Sequence, residues 1–354
     1  MKNGIGPGWI GVFSLLALAA CGATPDDQDE PSTGEGSPEE LSEDVGEASQ
    51  ALGGWSELAS STRPRPMSVG PTYTLFLGWT TTSGEGCRVP LVFDTTTGAQ
   101  LPVPAFPRCG RAFVATSASN GLFVHHSPNL SDSGTIYSLI QTNGTFSWSP
   151  IAFTSEQASG MVADSQYVFW AEGWTVYRVG RLGSPVLTVA TDRTLVGVSG
   201  SDLYLIDQVG DGYDLMRRSR SGSSESTVRA DIDPTAVSES SFDASYLYFA
   251  ESSGGTNRLQ RIARSGGALS TVKSSTSVRY VSPFSTGSAL YWREERLSDG
   301  AATIRRKNLL NGNHVTTSFP MAELDQMLVA SSGIYAIGRV DAGVDRWALI
   351  RGGL

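Results

Sequence analysis

The chain has 354 residues, 40% of them hydrophobic and 17% charged, with a formal net charge of −9. That length is enough to bury a large core, the negative balance lacks the basic footprint of a nucleic-acid binder, and no apolar run reaches the roughly 20 residues of a membrane-spanning helix. The three cysteines form no Cys-x-x-Cys pair, and phosphate-loop, His-Glu-x-x-His and Gly-x-Ser-x-Gly motifs are missing too.

Lys2 is the only charge ahead of an apolar run from about Ile10 to Ala20, whose length suits a signal-peptide core. The run ends in Leu18-Ala19-Ala20-Cys21, which resembles a bacterial lipobox. The resemblance implies that residues 1–20 are a lipoprotein signal peptide and that Cys21 carries the lipid which holds the chain to a membrane. Gly22, where an Asp would retain the protein, resembles the sorting pattern of outer-membrane lipoproteins, with the leaflet left open. Residues 21–51 read as a disordered tether: ten acidic side chains lie between Asp26 and Glu47, with no Lys or Arg to balance them. Setting the leader (+1) and the tether (−10) against the total of −9 leaves the body, residues 52–354, at zero. The low pI therefore belongs to the tether and not to an acidic active face.

The body is organised by an apolar-aromatic triplet that returns seven times. It reads Leu75-Phe76-Leu77, Leu122-Phe123-Val124, Val168-Phe169-Trp170, Leu203-Tyr204-Leu205, Leu247-Tyr248-Phe249, Leu290-Tyr291-Trp292 and Ile334-Tyr335-Ala336. The central residues are 47, 46, 35, 44, 43 and 44 positions apart, the period of a propeller blade. Apolar side chains at consecutive positions predict a strand covered on both faces. Thr175-Val176-Tyr177-Arg178, Asp214-Leu215-Met216-Arg217, Arg258-Leu259-Gln260-Arg261 and Thr303-Ile304-Arg305-Arg306 predict the next strand, with Arg346-Trp347-Ala348-Leu349 as a degenerate copy in the last repeat. The Arg column is expected to be a solvated strand face that discourages edge pairing. A Gly turn and a polar-alternating strand complete each repeat. The fold class is thus all-β: a β-propeller of seven four-stranded blades, with six as the alternative count. After residue 352 no fourth strand remains for the last blade, so the segment Trp55–Ala59 is expected to supply it.

Leu290-Tyr291-Trp292-Arg293-Glu294 followed by Ile304-Arg305-Arg306 resembles the YWTD-type propellers of lipoprotein receptors. Repeats three to six carry the resemblance and the others share only its hydrophobic frame. That family usually has six blades, and its matching acid holds neighbouring backbone in place.

Three residues beyond the central aromatics stand His126, Glu172, Asp207, Glu251 and Glu294. Equivalent positions lie on a ring, so these five mark a candidate ligand face, served by the variable loops that follow the triplets. No catalytic residue, metal ligand set or cofactor is assigned. The reading is a monomeric, non-catalytic binding or scaffold module for an unknown protein or glycan, anchored in the outer membrane. The alternative is a polysaccharide lyase or hydrolase drawing on the same acids and His126. Cys87 and Cys109, the cysteines left after lipidation, are expected to form a disulfide in an exported chain.

Overall fold

The structure, a computed structural model, describes residues 51–52, 55–61, 65–70, 72–82, 85–105, 112–118, 121–127 and 133–352, apart from 184, 223, 238, 313, 318–322, 331–332 and 340–346. Residues 1–50 of the leader and tether lie outside the described residues, as does Cys109 and with it the expected disulfide. The described chain is a succession of antiparallel strands, with one helical turn at Pro234–Val237.

Seven sheets follow one another in chain order, and their first strands contact each other around a common axis. Blade 1 comprises Arg65–Val69, Tyr73–Thr82 and Glu85–Asp94; its fourth place is taken by an irregular stretch in which Gln100 bridges Phe93 and the Leu101 N–H donates to the Val92 carbonyl at 2.8 Å. Blade 2 comprises Ala112–Ala118, Gly121–Ser127, Gly134–Thr142 and Thr145–Thr154. Blade 3 follows with Ser159–Ala163, Tyr167–Glu172, Thr175–Gly180 and Leu187–Thr191, and blade 4 with Arg193–Ser199, Asp202–Val209, Gly212–Ser219 and Glu225–Arg229. Blade 5 contains Ser241–Phe242, Tyr246–Ser253, Thr256–Ala263 and Ser270–Ser275, and blade 6 Val278–Ser285, Ala289–Arg296, Ala302–Asn308 and His314–Thr317.

Blade 7 closes the ring. Glu323–Ala330, Gly333–Arg339 and Trp347–Gly352 are completed by Trp55–Ser61, with Trp55 opposite Gly352 and Ala59 opposite Leu349. Ala51–Leu52 folds back outside as a fifth strand. The buried Trp55 ring fits because residue 352 is glycine: a Cβ there would come within 2.8 Å of the indole.

Every triplet lies on the second strand of its blade, and its alternation explains the radial packing. Leu203 and Leu205 pack toward blade 3 with Phe169, whereas Tyr204 packs toward blade 5 with Leu247 and Phe249. Burying each such side chain contributes about 2–3 kcal/mol, and two-sided burial is what makes one blade the floor of the next.

Blade 1 departs from the expected register. Leu75, not Phe76, takes the central place: it pairs with Val92 and packs toward blade 2 with Leu122 and Val124, while Phe76 turns back onto Tyr335 of blade 7. A one-residue slip exchanges the two faces of a strand. Blade 7 needs a similar correction. Tyr335 pairs with Arg351, so Ala348-Leu349-Ile350-Arg351, and not Arg346-Trp347-Ala348-Leu349, is the equivalent of Thr175–Arg178.

The Arg column is not a solvated face. Most of its guanidiniums lie over tyrosine rings, and three of them reach the next blade. The Arg178 guanidinium sits 4.7 Å from the Tyr167 ring centre and donates to the Arg220 carbonyl of blade 4 at 2.8 Å. Arg217 does the same toward the Arg264 carbonyl of blade 5 at 3.5 Å, and Arg351 toward the Thr96 carbonyl of blade 1 at 2.7 Å. Blades 4 and 5 answer: Arg220 donates to Asp164, and Arg264 to the Ser199 carbonyl at 2.6 Å and the Tyr204 hydroxyl at 2.9 Å. Two arginines thus lock blade 3 to blade 4 and blade 4 to blade 5 from opposite sides.

Candidate functional site

Chain direction gives the disc two unlike faces. One carries the turns between second and third strands together with the connections from blade to blade, and is called the loop face below. The other carries the first-to-second and third-to-fourth turns. His126, Glu172, Asp207, Glu251 and Glu294 all stand toward the loop-face end of a second strand.

Glu172 and Glu294 share one local device. Their carboxylates accept a hydrogen bond from the indole two residues earlier, Trp170 at 2.7 Å and Trp292 at 3.0 Å. The other oxygen of Glu172 takes the Ser155 N–H at 2.8 Å, the Ser155 hydroxyl at 2.5 Å and the Glu156 N–H at 3.3 Å, pinning the connection that arrives from blade 2. Glu294 accepts from Lys273 at 2.5 Å and from Arg305 at 2.8 Å. Burial pushes its pKa up, but these donors outweigh burial and hold the carboxyl below its usual range. Asp207 is paired with Arg193 of the innermost strand at 2.6 Å, and Glu251 accepts from the Gln260 amide. Each acid is therefore occupied by donors near its own blade, and no contact joins one of the five residues to another among those described.

His126 is buried, as is its neighbour His125. The His125 Nε2 meets the Thr154 hydroxyl at 2.9 Å, and that hydroxyl also accepts the Gly134 N–H at 2.9 Å. Burial, reinforced by His126, lowers the His125 pKa to about 4. A neutral imidazole sealed in this way packs the blade and is not open to solvent. Among the described residues no group of three or more His, Cys, Asp or Glu is disposed to hold a metal ion.

The same face carries a feature that the triplet column does not reveal. Trp174 and Tyr213 stand at equivalent places at the starts of the third strands of blades 3 and 4, four positions before Arg178 and Arg217. Their rings are parallel to within 6°, with centroids 6.5 Å apart. Both side chains are half-buried, and Tyr213 packs against the buried cluster shared by blades 4 and 5. The exposed Gln208 is the cross-strand neighbour of Tyr213, and the Arg193–Asp207 pair lies alongside, Arg193 donating its N–H to the Trp174 carbonyl at 2.9 Å. An aromatic surface edged by hydrogen-bonding groups suits ligands with one apolar and one polar side. The signal in sequence was the shared spacing to the column arginine, visible only after the blades are aligned.

No family model and no curated protein matches this chain. Among solved structures it is similar to one from a study of two prolyl endopeptidases, with a TM-score of 0.54 and 12% identity over 78% of this chain and 46% of that one. It is also similar to the acylaminoacyl peptidase of Pyrococcus horikoshii, with a TM-score of 0.55 and 6% identity over 78% of this chain and 48% of that one. The likeness is one of fold: the chain is a β-propeller. It spans about half the length of these peptidase chains. A chain of a nidogen/laminin complex also matches, with a TM-score of 0.45 and 12% identity over 70% of this chain and 94% of that one.

Proposed function

We propose that this propeller is a non-catalytic binding module of the cell envelope, held to the outer membrane by lipid on Cys21 and presented at the end of the acidic tether, with a protein or glycan partner on its loop face. The observation that carries the reading is the occupation of Glu172, Asp207, Glu251 and Glu294 by donors of the same chain. Acid–base work needs a carboxyl poised to exchange a proton with substrate, and each of these four already accepts a hydrogen bond from its own chain. The enzymatic alternative drew on the same groups. What the carboxylates secure is a rigid frame under variable loops, the usual arrangement of a recognition surface, and Trp174 and Tyr213 give that surface an aromatic patch.

The test is photo-crosslinking in intact cells with the full-length lipoprotein. A crosslinking amino acid at Gly210 or Leu297 on the loop face is expected to capture a discrete partner, and one at Ser221 or Gly266 on the opposite face is not. Capture only from the second pair would move the partner to the other side of the disc.

A further inference from the structure

The arginine clasp is missing where blade 2 meets blade 3, and a cavity opens there. In blade 2 the place of Arg178, Arg217 and Arg351 is taken by Ser138, which pairs with Phe123 as those arginines pair with Phe169, Tyr204 and Tyr335. A serine cannot reach the next blade. The answering arginine of blade 3 is Arg181, and its partners are reduced as well. The tyrosine hydroxyl that serves Arg264 is absent from Phe123, and the places of Asp164 and Asp202 are held by Ala118 and Gly121. The Arg181 guanidinium lies 5.4 Å from the Phe123 ring centre and, among the described residues, makes one hydrogen bond, a long one of 3.4 Å to the Ser165 carbonyl. Gly121 makes room for it, because a Cβ there would come within 2.2 Å of the guanidinium.

The result is a cleft of about 560 Å³ between blades 2 and 3 on the face opposite the loops, lined by Arg181, Ser138, Gln141, Ser165 and Gln166 among others. That volume is within the range of small-molecule sites, roughly 300–1,000 Å³. We infer that this cleft binds a small polyhydroxylated carboxylate, of the size and type of a sugar acid, with its carboxylate on Arg181. Guanidinium is built for planar, two-pronged contact with a carboxylate. Among the described residues no Lys and no Asp or Glu lines the cleft to add a second charge, so the remaining recognition falls to neutral hydroxyl and amide groups. Ser138, Ser165, Gln141 and Gln166 can each donate or accept, which matches the hydroxyls of a sugar ring rather than a second anionic group. The site is separate from the loop face and does not depend on what binds there.

Calorimetric titration of the full-length protein with glucuronate, galacturonate and glucose tests this. Saturable binding of at least one sugar acid, with glucose at least about tenfold weaker, is the expected result. Arg181→Gln should weaken sugar-acid binding about tenfold or more. Ser138→Arg should abolish it by rebuilding in the cleft the clasp present at the next seam, while raising the melting temperature, so loss of binding cannot be ascribed to unfolding. The inference is overturned if neither sugar acid binds, if glucose binds equally well, or if both variants bind as the parent does.

Discussion

At Glu294 burial and hydrogen bonding pull in opposite directions, and the donors win. Its pKa is lowered in the folded protein, so its contribution is present above the unfolded value of 4.5 and is lost as pH falls through the folded one. Glu294→Gln should therefore cost about 1–3 kcal/mol at neutral pH and should flatten the fall in stability below about pH 4.5, both measurable by urea unfolding. His125 works in a different window. Its folded pKa of about 4 lies below the ordinary 6.5, so on acidification the unfolded chain takes up a proton that the folded chain refuses. Its full contribution holds above pH 6.5 and shrinks between 6.5 and about 4. At pH 5 the loss should be about 2 kcal/mol, and His125→Gln should remove that part of the difference between unfolding at pH 7 and pH 5. An unchanged difference would show that the imidazole is reached by solvent.

Among the strands, Trp55–Ser61 of blade 7 contributes to two buried clusters at once. Deleting residues 51–60 strips Trp55 and Ala59 from two buried clusters and bares the edge of Trp347–Gly352. The unfolding temperature should fall sharply, whereas trimming residues 22–50 should leave it unchanged; equal melting of the two truncations would refute the closure. This strand was legible in the sequence because a repeat that stops one strand short has to find it elsewhere. The triplets were legible because their period is carried by two-sided burial, which few substitutions satisfy. The register of blade 1 was not, because residues 75–77 are apolar throughout and only the cross-strand partner, Val92, decides which of them takes the central place. The arginine clasp was hidden for another reason. Most of its acceptors are carbonyls, which every residue has, so little in the side-chain pattern announces it. Trp174 and Tyr213 stayed unremarked because 39 positions separate them and each alone looks like an ordinary surface aromatic.

On the scale of the whole molecule, charge and fold are kept apart. The ten acids between Asp26 and Glu47 precede a body that sums to zero, so the disc itself is not driven from the acidic headgroups of a membrane by net charge. The lipid on Cys21 is proposed to fix the disc there. Cys21→Ser should then release the protein from the membrane fraction into the soluble one and abolish incorporation of labelled palmitate, with unfolding of the released body unaltered. Retention in the membrane fraction would require an attachment other than the lipid.

The pairing of Trp55 with Gly352 also sets the timing of folding. The hairpins of the first six blades join residues close in sequence and form quickly, but the last blade must close a loop of nearly 300 residues. By the chain-length dependence alone that closure costs about 5 kcal/mol, recovered only when both ends are in place. Until residue 352 has been made and delivered, the chain is an open arc, with Phe76 and Phe93 of blade 1 waiting for Tyr335. Refolding should accordingly show a fast phase that builds blades and a slow one, abolished by removing residues 51–60, in which the arc becomes a ring.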